Sequence, residues 1–211
     1  TGATVEMYDS SIIGCSAPTS GGAIYAMGNI TLKNCKLTGN ETNGYGGNIY
    51  ANQGRQTLEN CVLENGISRS GSDGGGNFYA KNGCTVTITG STIRGGYAVN
   101  NGGNVYLDKG THTLTNTKIT GGVCGKLGAN LYCGSADAKT TVSGCQISGD
   151  VYYGSGSLTL KGATKIGLNS NGLKLKAGTA VKASGLTSGA EIYVDAEGVF
   201  TDSGAVKSYF K

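Results

Sequence analysis

Gly46-Gly47-Asn48-Ile49-Tyr50-Ala51 decides the fold, because the chain repeats it. It returns as Gly21-Gly22-Ala23-Ile24-Tyr25-Ala26, Gly75-Gly76-Asn77-Phe78-Tyr79-Ala80 and Gly102-Gly103-Asn104-Val105-Tyr106-Leu107. Later copies are Gly128-Ala129-Asn130-Leu131-Tyr132-Cys133 and the worn Gly149-Asp150-Val151-Tyr152-Tyr153. From Ala23 onward the Asn48-type position recurs after 25, 29, 27, 26 and 20 residues. A period in this range is the signature of a solenoid, propeller or array.

A second repeated stretch follows each tyrosine motif. It reads Ile30-Thr-Leu-Lys-Asn-Cys-Lys-Leu37, Gln56-Thr-Leu-Glu-Asn-Cys-Val-Leu63, Val86-Thr-Ile-Thr-Gly-Ser-Thr-Ile93 and His112-Thr-Leu-Thr-Asn-Thr-Lys-Ile119, with further copies at 140–147 and 158–166. Its Thr, Val and Ile alternate with period two, which predicts strands. Leu32, Leu58, Ile88, Leu114, Val142 and Leu160 form one inward column; Leu37, Leu63, Ile93, Ile119 and Ile147 form another. Between them stand Asp9, Asn34, Asn60, Gly90, Asn116, Gly144 and Gly162, residues that tolerate left-handed backbone angles. A one-residue corner there swings the chain into a new sheet and turns Ser10, Cys35, Cys61, Ser91, Thr117, Cys145 and Ala163 inward.

Each period therefore holds three short strands and no helical pattern. Stacked about 4.8 Å apart, successive copies pair every backbone group with the coil above and below. The expected fold is an all-β, right-handed single-stranded parallel β-helix of about eight coils, its hand taken from the general crossover rule. Residues 1–211 read as one domain, with regular coils over 1–164 and tighter C-terminal coils and a cap over 165–211. In the tyrosine strand, Ile49, Phe78 and Val105 are expected to face in. Tyr50, Tyr79, Tyr106 and Tyr132 are expected to face out beside Asn48, Asn77 and Asn104.

Composition narrows the function. The 211 residues include 39 Gly, one Pro, no Trp and 12 Tyr, with a net charge of +4. The positive charge is spread thinly, so no nucleic-acid footprint emerges. No apolar run reaches the roughly 20 residues that span a bilayer. The chain opens on Thr1 without a leader, as expected of a piece of a longer protein or a processed chain. A single His and scattered Cys argue against a zinc site, and no cofactor motif stands out. Seven Cys leave at least one thiol unpaired, with Cys124 and Cys133 placed to bridge a loop.

Gly21-Gly22-Ala23-Ile24 followed by Leu37-Thr38-Gly39-Asn40 resembles the repeats of polymorphic outer-membrane adhesins. The tail from Ala190 to Thr201 resembles the end of β-helix regions in large surface proteins of Gram-positive gut bacteria. These resemblances imply an extracellular or cell-surface protein serving adhesion, presentation or spacing, with a host or bacterial glycan or protein as partner. Polysaccharide lyases and galacturonases share the fold, but the carboxylates fall at unrelated repeat positions, so a non-enzymatic role is the expectation. The rival is a carbohydrate-active enzyme or phage-type depolymerase with its site in loops 64–74 and 94–101. The tyrosine column has two readings: aromatic faces flanked by Asn suit sugar rings, or the rings stack on one another and stabilise the sheet.

Overall fold

The computed structural model describes residues 3–167 and 171–196, and the expected C-terminal cap beyond 196 lies outside them. The described chain contains no helix. One coil shows the path: Ile49–Ala51, Arg55–Glu59, Val62–Glu64, Ile67–Ser68, then Phe78–Ala80 directly above Ile49–Ala51. We name the four sheets so formed the tyrosine, long, corner and short sheets. Every strand pairs in parallel with its equivalents one coil away: Ile49 with Ile24 and Phe78, Leu58 with Leu32 and Ile88, Leu63 with Leu37 and Ile93. The tyrosine, long and corner sheets each have eight strands, hence seven turns from first to last. The protein is a parallel β-solenoid.

The inward columns are as the alternation predicts. Leu32, Leu58, Ile88, Leu114 and Leu160 are 0% exposed and share one core with Leu37, Leu63, Ile93, Ile49, Phe78 and Val105. Burying one such side chain stabilises the fold by about 1.5–3 kcal/mol, and in-register repetition multiplies that contribution along the axis. The corners follow the sequence too. Asp9, Asn34, Asn60, Gly90, Asn116, Gly144 and Gly162 all have φ between 48° and 62°. Beyond the corner Cys35, Cys61, Ser91, Thr117 and Cys145 are buried. The coil before the last departs from the expectation: it carries one extra residue, so Thr164 takes the inward place and Ala163 is exposed. Lys165 then restores register with Gln146.

Three strands per coil is an undercount in the first five coils. A two-residue fourth strand recurs at Ser16–Ala17, Glu41–Thr42, Ile67–Ser68, Tyr97–Ala98 and Val123–Cys124. A second left-handed corner at Gly14, Gly39, Asn65, Gly95 and Gly121 leads into it. Two residues are too few to show a period. In the next coil only residues 148–150 connect Gln146–Ile147 to Val151–Tyr153, too short a connection for a fourth strand. The short sheet therefore ends at Val123–Cys124, while the other three continue.

An ion cluster on the corner sheet ties three coils together. Glu64, buried, accepts from Lys36 Nζ at 2.8 Å, Arg94 Nε at 2.7 Å and Thr38 Oγ1 at 3.2 Å. The Lys36 hydrogen bond, followed by that of Arg94, pulls the Glu64 carboxyl from 4.5 down to about 2. A depressed folded-state pKa stabilises the fold above the unfolded value and loses that contribution as pH falls. Urea denaturation should show stability declining through this group between pH 4.5 and about 2. Glu64→Gln should flatten that segment of the profile. Glu64→Ala should cost about 1–3 kcal/mol at neutral pH, because its exposed cationic partners can return to water.

Candidate functional site

The tyrosine motif opens with two glycines for different reasons. Gly46 has φ +67°, and a Cβ there would lie 2.2 Å from the Ile49 carbonyl oxygen. Gly47 stands against the next coil, where a Cβ would lie 2.2 Å from the Ile67 nitrogen. This pinch drives the following Asn inward, which corrects the expected outward placement. Asn48, Asn77 and Asn104 are 0% exposed. Each precedes the strand proper, in a bend, so the period-two rule that turns Tyr50 outward does not reach it. Their amides form a ladder along the axis: Asn40 Nδ2 donates to Asn48 Oδ1 at 2.7 Å, Asn48 to Asn77 at 2.6 Å, Asn77 to Asn104 at 2.7 Å and Asn104 to Asn130 at 2.8 Å. The second amide hydrogens of Asn48, Asn77 and Asn104 reach the carbonyls of Glu64, Arg94 and Thr120. The amides of Gly66, Gly96 and Gly122 donate back to Asn77, Asn104 and Asn130. These asparagines lock the corners and offer nothing to a ligand.

The tyrosines form a second ladder on the opposite side of the same sheet. Tyr25, Tyr50 and Tyr79 stack with centroids 5.1 and 5.5 Å apart; Tyr79, Tyr106, Tyr132 and Tyr152 continue at 4.5, 4.6 and 5.2 Å. Its middle is covered. Tyr45 packs on Tyr50 and Tyr79, and its hydroxyl bonds Ser72 at 2.9 Å. Lys81 Nζ lies 5.1 Å from the centre of the Tyr45 ring. Asp73, from the long variable loop, accepts from Tyr79 at 3.3 Å and Tyr106 at 3.1 Å. Burial, then the Asp73 charge, pushes both hydroxyls far up; burial carries Tyr50 up to about 12. Tyr79 is 1% exposed, so the expected open face is closed at its centre. Tyr132 and Tyr152 remain half-buried and Tyr25 is exposed. Sequence reading missed Tyr45 and Asp73 because their contacts span a coil; a tyrosine just before Gly46, found in that copy alone, was the available signal.

His112 and most of the thiols lie inside, while Cys15 is exposed. His112 sits in the inward column between Val86 and Thr140. Its Nε2 donates to the Asp108 carbonyl at 3.2 Å, and burial lowers its pKa, so it is held neutral. Cys124 and Cys133 are both free thiols, against the expected bridge, and Cys133 is buried 3.8 Å from the Thr140 hydroxyl. No cluster of three or more metal-ligating side chains occurs among the described residues.

Among the described residues, two concavities lie at the ends of the tyrosine ladder. Below, Ala3, Val5, Tyr25, Met27 and Ile30 line an apolar groove of about 380 Å³. Above, the early end of the short sheet leaves a notch of about 220 Å³ between the 124–129 loop and Asp150, Tyr152, Asn171 and Lys174. No family model, curated protein or solved structure matches the chain.

Proposed function

We propose that this chain is a cell-surface or secreted rod that holds a contact surface away from its base and acts by adhesion or presentation, without turnover. The observation that carries this reading is the employment of the motif side chains. The asparagine ladder and the middle of the tyrosine ladder join coil to coil from Asn48 to Asn130, fixing register in the central coils of the seven-turn stack. A stack so joined suits a stiff spacer, and contact falls to the variable loops and the ladder ends. The bacterial and extracellular setting rests on the resemblances of the repeats.

One observation favours the enzymatic alternative, a glycan depolymerase. Asp73 lies near Asp108, whose carboxyl is raised by burial, opposed by Lys109 and aided by the Asp73 charge. A carboxyl group whose proton affinity is raised is one of the two parts that acid–base catalysis needs. Incubation with a panel of surface polysaccharides separates the readings. Retention on an array without new reducing ends or unsaturated products is expected. Turnover abolished by Asp108→Asn would overturn the rod reading.

A further inference from the structure

We infer that the end of the rod built by residues 3–28 is a docking edge for an extended polypeptide segment. The segment is apolar at alternate positions and basic on its outward face, and it adds one more coil to the stack.

The backbone at this end is unpaired on one side. Thr4–Tyr8, Ser11–Ile13 and Ile24–Ala26 open the long, corner and tyrosine sheets, and among the described residues each pairs only with the coil above. A free strand edge presents a row of N–H and C=O groups to an incoming strand, and strand addition of this kind is a common mode of peptide recognition. Lysine and proline are the usual means of blunting such an edge. None of these three strands contains either. The one Pro, Pro18, follows Ser16–Ala17 and blunts the short sheet alone.

The side chains repeat the contact that joins the coils within the rod. Val5, Met7, Ile12 and Ile24 stand in register beneath Ile30, Leu32, Leu37 and Ile49. The upper four are at most 1% exposed. The lower four are covered from above only: Val5 is 47% exposed, and Met7, Ile12 and Ile24 are partly buried. Five of the eight exposed large apolar side chains among the described residues, Val5, Tyr8, Ile13, Tyr25 and Met27, belong to this coil. Val5, Ile24 and Met27 also line the apolar groove of about 380 Å³. The surface is one half of the rod's own coil-to-coil interface, and what completes it is a further coil.

Charge chooses among such segments. Five ion pairs, Lys33–Glu59 at 3.1 Å and Lys36–Glu64 at 2.8 Å among them, each cross from one coil to the next. Glu6 and Asp9 are the charged residues of 3–28, both acidic, and neither forms an ion pair among the described residues. Glu6 lies on the outward face between Val5 and Met7 and accepts from the Tyr8 hydroxyl at 3.1 Å. A Lys or Arg opposite Glu6 makes another such crossing. Two copies of this end set face to face would bring like carboxylates together, which disfavours a second copy as the occupant.

Fluorescence anisotropy at low salt tests the edge with a labelled peptide of residues 29–38 carrying Thr31→Lys and Cys35→Ser. In the register that residues 29–38 keep with the first coil, this peptide sets its new Lys against Glu6 and its apolar residues against Val5, Met7 and Ile12. The rod should bind it about fivefold or more tightly than the same peptide with Thr31→Glu. A Leu32→Pro peptide, which cannot donate to the ladder, should bind about tenfold or more weakly. Glu6→Lys, at an exposed side chain, should reverse the preference between the Lys and Glu peptides. Met27→Asp, in the groove, should weaken binding with its circular dichroism unchanged. Val123→Ser, exposed at the far end of the short sheet, should bind as the wild type does. Absence of binding, or a preference unchanged in Glu6→Lys, overturns the docking edge. Sedimentation velocity should find the rod alone monomeric; a dimer dispersed by Met27→Asp would make a second copy the occupant and overturn the basic segment.

Discussion

Gly76→Ala should remove most of the protein's stability, although it adds a single methyl group. The Cβ would lie 2.2 Å from Gly103 O, 2.5 Å from Tyr97 N and 2.6 Å from Tyr97 O. All three are backbone atoms of the next coil, so no side chain can rotate away. Relief requires the coils to part. Parting them stretches Gly76 N→Gly102 O at 3.1 Å and Asn77 N→Asn104 O at 3.0 Å, and the asparagine ladder beside them. Losing several buried hydrogen bonds together, at about 1–3 kcal/mol each for the group left unsatisfied, approaches the whole 5–15 kcal/mol of a typical domain. The expected loss in urea denaturation is about 4 kcal/mol or more, or failure to unfold cooperatively. Gly71→Ala is the control: it has nothing within 4 Å and should change stability by less than about 0.5 kcal/mol. A loss for Gly76→Ala no greater than that of the control would mean that the coils are not held at this spacing.

The same pinch explains what the sequence discloses. Columns such as Leu32–Leu58–Ile88 are legible because a strand forces alternate residues to opposite faces and the repeat aligns them. Corners such as Asn60 and Gly90 are legible because few residues accept φ near +55°. Asn48 was not, since alternation was carried one residue past the point where the strand begins. The fourth strand left no period to detect at Glu41–Thr42. The cover over Tyr79 depends on where the 69–74 loop lands, and loops follow no alternation. The notch is hardest to foresee: it arises from residues absent between Ile147 and Val151, and becomes a cavity only because the coil beneath keeps its longer loop.

Asn77→Ala and Asn77→Asp should differ in a way that depends on pH. Asn77 Oδ1 accepts from Asn48 Nδ2 at 2.6 Å and from Gly66 N–H at 2.9 Å; its Nδ2 donates to Arg94 O at 2.9 Å and Asn104 Oδ1 at 2.7 Å. The site is fully buried. Alanine strands two donors, the Gly66 N–H and one Asn48 amide hydrogen, while Arg94 O keeps the Asn65 N–H and Asn104 Oδ1 keeps the Gly96 N–H, an expected loss of about 2–5 kcal/mol after non-additivity. Aspartate nearly conserves the volume and keeps the acceptor oxygen, but sets its second oxygen against two other acceptors and buries a charge. Burial and this mismatch both favour the protonated form, raising the folded-state pKa above the unfolded value near 3.9. A raised folded-state pKa means that stability grows as pH falls through it. The deficit of Asn77→Asp relative to wild type should therefore shrink between about pH 8 and pH 5, above the window in which Glu64 titrates. The deficit of Asn77→Ala should stay constant over the same range. Parallel urea titrations at several pH values read both slopes directly. A pH-independent gap for the aspartate, or a loss below about 1 kcal/mol for the alanine, would show that the amide ladder does not hold the corners together.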